Sequence, residues 1–215
     1  MVIDKFKKRL VKREHQIKEW LISNQYESLL KKSDEILDNL PIEDIENEFK
    51  EEILKAVKHC VENEAIKGLD FEWYYPEKGT TAFAYGYNGA RCKDKLDKSD
   101  LGLKGLAGIE LKFDSRSSLI DQYFAELPVS IALDEMMEKI IPIVDDHFES
   151  KQSDSVEYLR YLIIDYFQIW NYKITNKMCE QLQDHPLVQK LKERSPFWIT
   201  MTRHDRSPVA IMLIE

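Results

Sequence analysis

The stretch of residues 69–87, LDFEWYYPEKGTTAFAYGY, decides the expected fold. Aromatic side chains alternate with other residues on both sides of the segment PEKG at 76–79. Alternation with a period of two around a Pro/Gly segment is typical of a β-hairpin. We therefore expect antiparallel strands over 69–76 and 80–87, and we expect helices from elsewhere in the chain to pack on this sheet.

Two amphipathic helices are expected before the hairpin. The first covers 3–31, with apolar residues on one side and most of its Lys and Arg on the other. The second begins near Pro41, a residue suited to the first helical position, and apolar residues then recur every three or four positions as far as Cys60. We expect these helices to form an antiparallel pair.

More helices and strands are expected after the hairpin. A third strand is predicted over 106–113, followed by a turn over 114–118, a short helix over 119–126 and a helical stripe over 129–148. The most regular helical spacing in the chain follows, from Val156 to Trp170, and predicts a central helix. Thr175 is expected to cap a further short helix, and Pro186 to begin another. Two strands, over 197–202 and 209–214, complete the predicted elements.

These elements predict an α+β fold. The expected sheet is mostly antiparallel with about five strands, formed by two hairpins and one further strand, and it packs against an N-terminal helical pair and a central helical segment. Because the first and last strands would share one core, we expect a single domain over 1–215, a length that suits one domain.

Charge and cysteine usage exclude some classes of protein. The net charge of −8 makes general nucleic-acid binding an unfavourable interpretation, because phosphate neutralisation requires clustered Lys and Arg. The longest apolar run, 209–214, is too short to cross a bilayer, and the charged N-terminus does not resemble a secretory signal. Three cysteines without CxxC spacing predict free thiols, a reducing compartment and therefore the cytoplasm.

The acidic residues suggest a surface that binds a partner. Residues 34–52 contain nine acids and only one basic residue, Lys50. Such a surface attracts a basic protein, so the first hypothesis is a non-catalytic protein-binding module, such as a bacterial inhibitor or immunity-type protein that masks a basic partner. The competing interpretation is a solvated helix face whose first turn favours acids. The predicted partner-binding residues are Glu43, Asp44, Glu46, Glu48, Glu51 and Glu52.

Two other classes of function stay open. A hydrolase or transferase would have its site between the sheet edge and the segment 88–108, which is rich in Gly, Lys and Asp but has no nucleotide-binding motif. Cys92 lies there between two cations that lower a thiol pKa. The third class is a small-ligand-binding protein that uses the aromatic hairpin. The candidate ligand or anion site comprises Cys92, Arg203, His204, Asp205 and Arg206.

A metal site is not expected. Asp145, Asp146, His147 and Glu149 form the densest group of metal-type ligands, but the HExxH spacing is absent and the group fits the polar end of an amphipathic helix. We expect no metal and no cofactor. The sequence identifies no catalytic residue, and it leaves the oligomeric state open.

Overall fold

The structure is a computed structural model of the chain, and it describes residues 2–73, 81–87, 90–92, 111–113, 116–126, 153–203 and 209–215. Its helices and strands confirm the α+β class. None of the helices in these ranges is long and apolar enough to cross a membrane.

Three helices, not two, precede the first strand. They are α1 (Val2–Ser23), α2 (Glu27–Asp38) and α3 (Ile42–Glu62). The prediction of one helix over 3–31 is wrong, because the chain turns at Gln25, whose φ of 67° lies in the left-handed region. The turn brings the ring of Tyr26 onto Trp20, with 5.9 Å between the ring centroids, and α2 packs back against α1. The contact between Trp20 and Tyr26 and the burial of the α2 apolar stripe thus favour two packed helices over one continuous helix.

The described residues contain seven strands, which form two sheets. Their order in the main sheet is β5-β2-β1-β6-β7. The β1/β2 pair is antiparallel, as the hairpin pattern predicts, and so are β2/β5 and β6/β7. The pair β1/β6 at the centre is parallel, so the sheet is mixed. The strands are β1 (Gly68–Trp73), β2 (Thr81–Tyr87), β3 (Ala90–Cys92), β4 (Leu111–Phe113), β5 (Arg116–Glu126), β6 (Phe197–Arg203) and β7 (Val209–Ile214).

The segment after the first hairpin differs from the prediction. The helix over 119–126 is wrong, because these residues belong to β5, which pairs with β2, and residues 116–118 of the expected turn also belong to β5. Residues 114–115 lie outside the described residues. The third strand predicted over 106–113 contributes only β4 to the described residues, and β4 pairs with β3 in a separate two-stranded sheet. Apolar residues in 116–126 fit a helix or a strand about equally well. Pairing with the edge of β2 is a long-range contact that overrides such local spacing.

A single long helix, α4 (Ser153–Leu182), is the central helix. Residues 162–169 are all buried, which confirms its expected place. The prediction that Thr175 caps a new helix is wrong: its hydroxyl donates to the carbonyl of Asn171, 2.8 Å away, inside the same helix. A threonine within a helix can make this bond to the preceding turn without ending the helix. Pro186 does begin the short helix α5 (Pro186–Leu191).

The main core lies between the helices and one face of the sheet, here called the apolar face. Leu69, Phe71 and Met201 belong to it, and the Phe71 ring meets Phe49 of α3 with 6.0 Å between the centroids. Helix α3 contacts β1 and β5, while α1 and α4 contact β7. Trp170 of α4 is half-buried and packs against this core.

Polar contacts fix the helices at specific points. The Arg194 guanidinium, which follows α5, donates to the carbonyls of Cys60, Val61 (2.6 Å) and Asn63 (2.9 Å), so it caps the C-terminal end of α3. Arg13 of α1 forms a 2.8 Å ion pair with Asp165 of α4. The first contact ties α3 to the segment before β6, and the second ties α1 to α4.

Candidate functional site

The six acids predicted to bind a partner do not share one environment. Glu46 is buried and forms an ion pair with Lys177 of α4, and Glu52 pairs with Lys55 on its own helix. Glu43, Asp44 and Glu51 are exposed. The side chain of Glu48 lies outside the described residues.

A smaller acidic surface remains where α2 meets α3. Asp38, at the end of α2, is exposed like Glu43, Asp44 and Glu51. Among the residues that the structure describes, no side-chain hydrogen bond or ion pair involves these four carboxylates. We call Asp38, Glu43, Asp44 and Glu51 the acidic corner.

The other predicted candidates are placed only in part. The backbone of Cys92 lies in β3 opposite Leu111, and that of Arg203 ends β6 beside Trp73. His204, Asp205 and Arg206, and the group at 145–149, lie outside the described residues. Within the described ranges, no group of three or more His, Cys, Asp or Glu side chains could hold a metal ion.

The two cysteines whose side chains are described are poor nucleophiles. Cys60 of α3 and Cys179 of α4 are buried free thiols. Burial raises the pKa of each thiol to about 12, although nearby Arg194 slightly opposes the shift at Cys60. The thiolate is the reactive form, so neither residue is a candidate for nucleophilic catalysis at neutral pH.

The sheet face opposite the described helices, here called the polar face, holds hairpin aromatics together with polar residues that the sequence analysis did not select. Because side chains alternate along a strand, Asp70 and Glu72 of β1 point away from Leu69 and Phe71. The pairing of β2, β1 and β6 arranges the polar face in three rows, which are Tyr87–Gly68–Trp198, Tyr85–Asp70–Thr200 and Phe83–Glu72–Thr202.

Asp70 is the best-defined polar group of this face. It is only 1% exposed, and its Oδ1 accepts hydrogen bonds from Thr200 Oγ1 at 2.5 Å and Thr202 Oγ1 at 2.8 Å. Glu72, two residues along the strand, is 7% exposed. Hydrogen bonds to a charged acceptor are shorter and stronger than neutral ones. The two threonines therefore orient the Asp70 carboxylate on the central strand of the sheet.

Aromatic side chains adjoin this carboxylate. Tyr85, Tyr87 and Trp198 are buried, yet none of them belongs to the main core. Trp198 is 6% exposed, and within the described part of the chain its indole makes no side-chain hydrogen bond and no ring contact. Gly68 lies between Tyr87 and Trp198 and contributes no side chain to the row.

The sequence contains a pattern of polar residues at this site, but only the strand pairing shows that these residues come together. Asp70 and Glu72 alternate with apolar residues in β1, and Thr200 and Thr202 alternate likewise in β6. Such positions are normally assigned to a solvated face. Only the central, parallel pairing of β1 with β6 shows that the four polar side chains meet and are buried.

Comparisons of the chain with protein-family models, with curated proteins and with solved structures find no match.

Proposed function

We propose that this protein binds a small ligand on the polar face of its sheet. The observation that carries the proposal is the buried Asp70 carboxylate, held by Thr200 and Thr202 on the central strand. The hairpin aromatics Tyr85 and Tyr87 lie on the same face. The site therefore combines an oriented charge with apolar walls, which is the usual composition of a ligand site.

A purely structural role explains this arrangement less well. Removing a carboxylate from water costs several kcal/mol, and well-packed apolar residues of similar volume are often as stabilising as a buried ionic group. Buried polar groups in a cluster are therefore candidates for binding or catalysis. The hydrolase or transferase hypothesis rests on 88–108, of which the structure describes only Ala90–Cys92, and it stays a prediction.

A thermal-shift screen of polar small molecules tests the ligand site. A ligand at about 100 times its Kd stabilises the folded state by about 2.7 kcal/mol, which raises Tm by roughly 5–10 °C for a chain of this size. We expect compounds that raise the Tm of wild type and fail to raise that of Asp70→Asn. Asp38→Asn, an exposed change of the same chemistry, should respond like wild type. Hits that stabilise Asp70→Asn as strongly as wild type would remove Asp70 from the site.

The acidic corner supports a second candidate function, the binding of a basic protein. Its four carboxylates are exposed and without ion pairs in the described part of the chain, whereas Glu14, Glu46 and Glu180 are each matched by a lysine. Unmatched surface charge steers an oppositely charged partner. A bacterial inhibitor or immunity-type protein of the cytoplasm would use such a surface, and the buried free thiols fit that reducing compartment.

Charge reversal tests the acidic corner. After a partner has been identified by affinity capture and mass spectrometry, association rates are compared for wild type and Glu43→Lys/Asp44→Lys at low and high salt. Surface charges act mainly on the association rate, and salt screens them, so we expect slower association of the variant at low salt alone. Glu62→Lys/Glu64→Lys changes the net charge equally at the other end of α3. Equal rates for the two double variants would exclude the acidic corner from the interface.

A further inference from the structure

The exposed side of α1 carries basic residues that no described residue neutralises. Lys8 and Lys12 are exposed, and neither makes a side-chain hydrogen bond or an ion pair with the part of the chain that the structure describes. Val11 shares their face of the helix, because residues three or four apart are neighbours there, and it is 63% exposed. We call Lys8, Val11 and Lys12 the basic patch.

The basic patch and the acidic corner lie at the same end of the helical layer. Lys7 of α1 forms an ion pair with Glu180 of α4, and Lys177, one turn earlier in α4, pairs with Glu46 of α3. One turn of α4 therefore lies beside the start of α1 and also beside the start of α3. Among the described residues no ion pair joins the basic patch to the acidic corner, so their opposite charges stay unmatched within one chain.

Each of the two surfaces also has an exposed apolar residue among its charges. Pro41 is exposed and lies between Asp38 and Glu43 of the acidic corner, as Val11 lies between the two lysines of the basic patch. Apolar contact at the centre with polar groups around it is the usual composition of a protein interface. The two surfaces are therefore complementary in charge and alike in composition.

Other partners fit the basic patch less well. Nucleic acid or an anionic membrane would meet the lysines, but it would also meet the four carboxylates at the same end, and like charges brought together are costly. The net charge of −8 adds to this repulsion. A basic protein would match the acidic corner and leave the basic patch unused. A second copy of this chain presents both surfaces, so each charge can meet its opposite.

We propose that two copies of this chain associate through a two-fold interface, in which the basic patch of each copy meets the acidic corner of the other. A two-fold axis forms this contact twice, because both copies use the same self-complementary surface. This inference rests on the proposed binding role of the acidic corner and names its partner as a second copy of the chain. Exposed ion pairs each contribute little, so the dimer is weak and depends on salt.

Sedimentation velocity of the full chain tests the self-association. We expect a dimer in low salt at a chain concentration of about 0.1 mM, in line with a small interface between exposed surfaces. We expect monomers in high salt, because salt screens the charges. A monomer at this concentration in low salt, or a dimer that persists in high salt, would overturn the inference.

Charge-reversal variants test the pairing of the two surfaces. Lys8→Glu/Lys12→Glu and Glu43→Lys/Asp44→Lys should each weaken the dimer about tenfold or more, because like charges then face each other. An equimolar mixture of the two variants should form a heterodimer about as readily as wild type dimerises. In that mixture every charge again meets its opposite, and the pair has the same net charge as two wild-type chains. A mixture that stays monomeric, or variants that dimerise like wild type, would overturn the inference.

A matched control separates the basic patch from the net charge. Lys190→Glu/Lys192→Glu reverses two exposed lysines at α5, which packs on α3, and neither lysine has an ion pair in the described part of the chain. This variant should dimerise like wild type, and circular dichroism checks that each variant is folded. Loss of the dimer in the folded control would assign the effect to net charge and overturn the inference.

The outcome also separates this inference from the binding role of the acidic corner. If wild type stays monomeric while a captured basic protein associates more slowly with Glu43→Lys/Asp44→Lys, the two-fold dimer is wrong and the acidic corner binds a different protein. If wild type stays monomeric and the variant associates with the captured protein like wild type, both proposals are wrong.

Discussion

On the apolar face of the sheet, Leu69 and Phe71 pack against helices, whereas on the polar face the same strand carries Asp70 and Glu72. Both pairs are buried, although one needs only apolar contact and the other needs hydrogen-bond partners. The apolar face therefore explains why the chain folds. The polar face is the surface that we propose for ligand binding.

Strand β2 shows the same difference. Its aromatic residues Tyr85 and Tyr87 lie on the polar face, while Ala84 and Gly86 lie on the apolar face. Small residues there let other apolar groups approach closely, and a Cβ at Gly86 would lie 2.7 Å from Ile66 Cδ1. Of the hairpin aromatics, Phe71 thus packs against α3, whereas Tyr85 and Tyr87 lie on the other face of the sheet. The expectation that helices pack on this sheet is confirmed, and the described helices pack on its apolar face, whereas Tyr85 and Tyr87 lie outside the main core.

The largest expected effect is the loss of Phe71 from the apolar face. Phe71→Ala should lower the free energy of unfolding by about 3–5 kcal/mol, because a fully buried ring leaves a cavity. Urea denaturation measures this change. Phe71→Leu is the matched control and should cost much less. A loss below about 1 kcal/mol for Phe71→Ala would show that the apolar face is not the main source of stability.

The clamp at the end of α3 should have the next largest effect. Arg194→Met keeps much of the side-chain volume but removes the donors to three carbonyls, so we expect a loss of about 2–3 kcal/mol in the free energy of unfolding. Amide hydrogen exchange should quicken in the last turn of α3. Lys192→Met, an exposed neighbour, should change neither quantity. Normal exchange in Arg194→Met would mean that packing alone fixes this helix end.

The close contact between Gly86 and Ile66 should appear as coupling between the stability effects of substitutions at these two positions. Gly86→Ala should destabilise the fold by about 1–2 kcal/mol, since the new methyl group overlaps the Ile66 side chain. Ile66→Ala creates room, so the double variant should lose less stability than the sum of the two single variants. Strict additivity in denaturation experiments would contradict the close contact.

A smaller effect is expected for the hydroxyls of the polar face. Thr200→Val removes one donor to Asp70 with little change of shape and should cost about 1 kcal/mol. Thr200→Ser retains the hydroxyl and is the control. The polar-face proposal further requires that Thr200→Val weakens ligand binding more than Thr200→Ser does. Weaker ligand binding by Thr200→Ser than by Thr200→Val in thermal-shift titrations would show that the Thr200 hydroxyl does not support the site.

The smallest effect is expected in the reactivity of the cysteine thiols, which lie in the helices that pack on the apolar face. Burial raises the pKa of Cys60 and Cys179 to about 12, so both stay protonated at pH 8. We expect no reaction of either residue with a thiol reagent in the native protein, and three reactive thiols per chain in denaturant without reductant. Native labelling of Cys60 or Cys179, mapped by mass spectrometry, would show that the helical layer opens readily.

The local sequence pattern was sufficient to predict several helices and strands. The start of α3 after Pro41, the antiparallel pair β1/β2, the part of the central helix from Val156 to Trp170 and the final strands all follow from spacing and turn residues near them in sequence. The local pattern was insufficient where a contact with a residue distant in sequence decides the structure. Strand β5 exists because β2 offers an edge, and Glu46 is turned inward because Lys177 of α4 lies beside it.

The candidate site depends on distant partners to a greater degree. By itself the sequence determined that Asp70 and Glu72 share one side of β1, because alternation is a property of the strand. Only the tertiary structure decided that Thr200 and Thr202 meet Asp70, and that Gly68 lies between Tyr87 and Trp198. The threonine contacts and the pairing of Gly68 with Trp198 join residues more than 100 positions apart through the parallel pairing of β1 with β6, which no local spacing encodes.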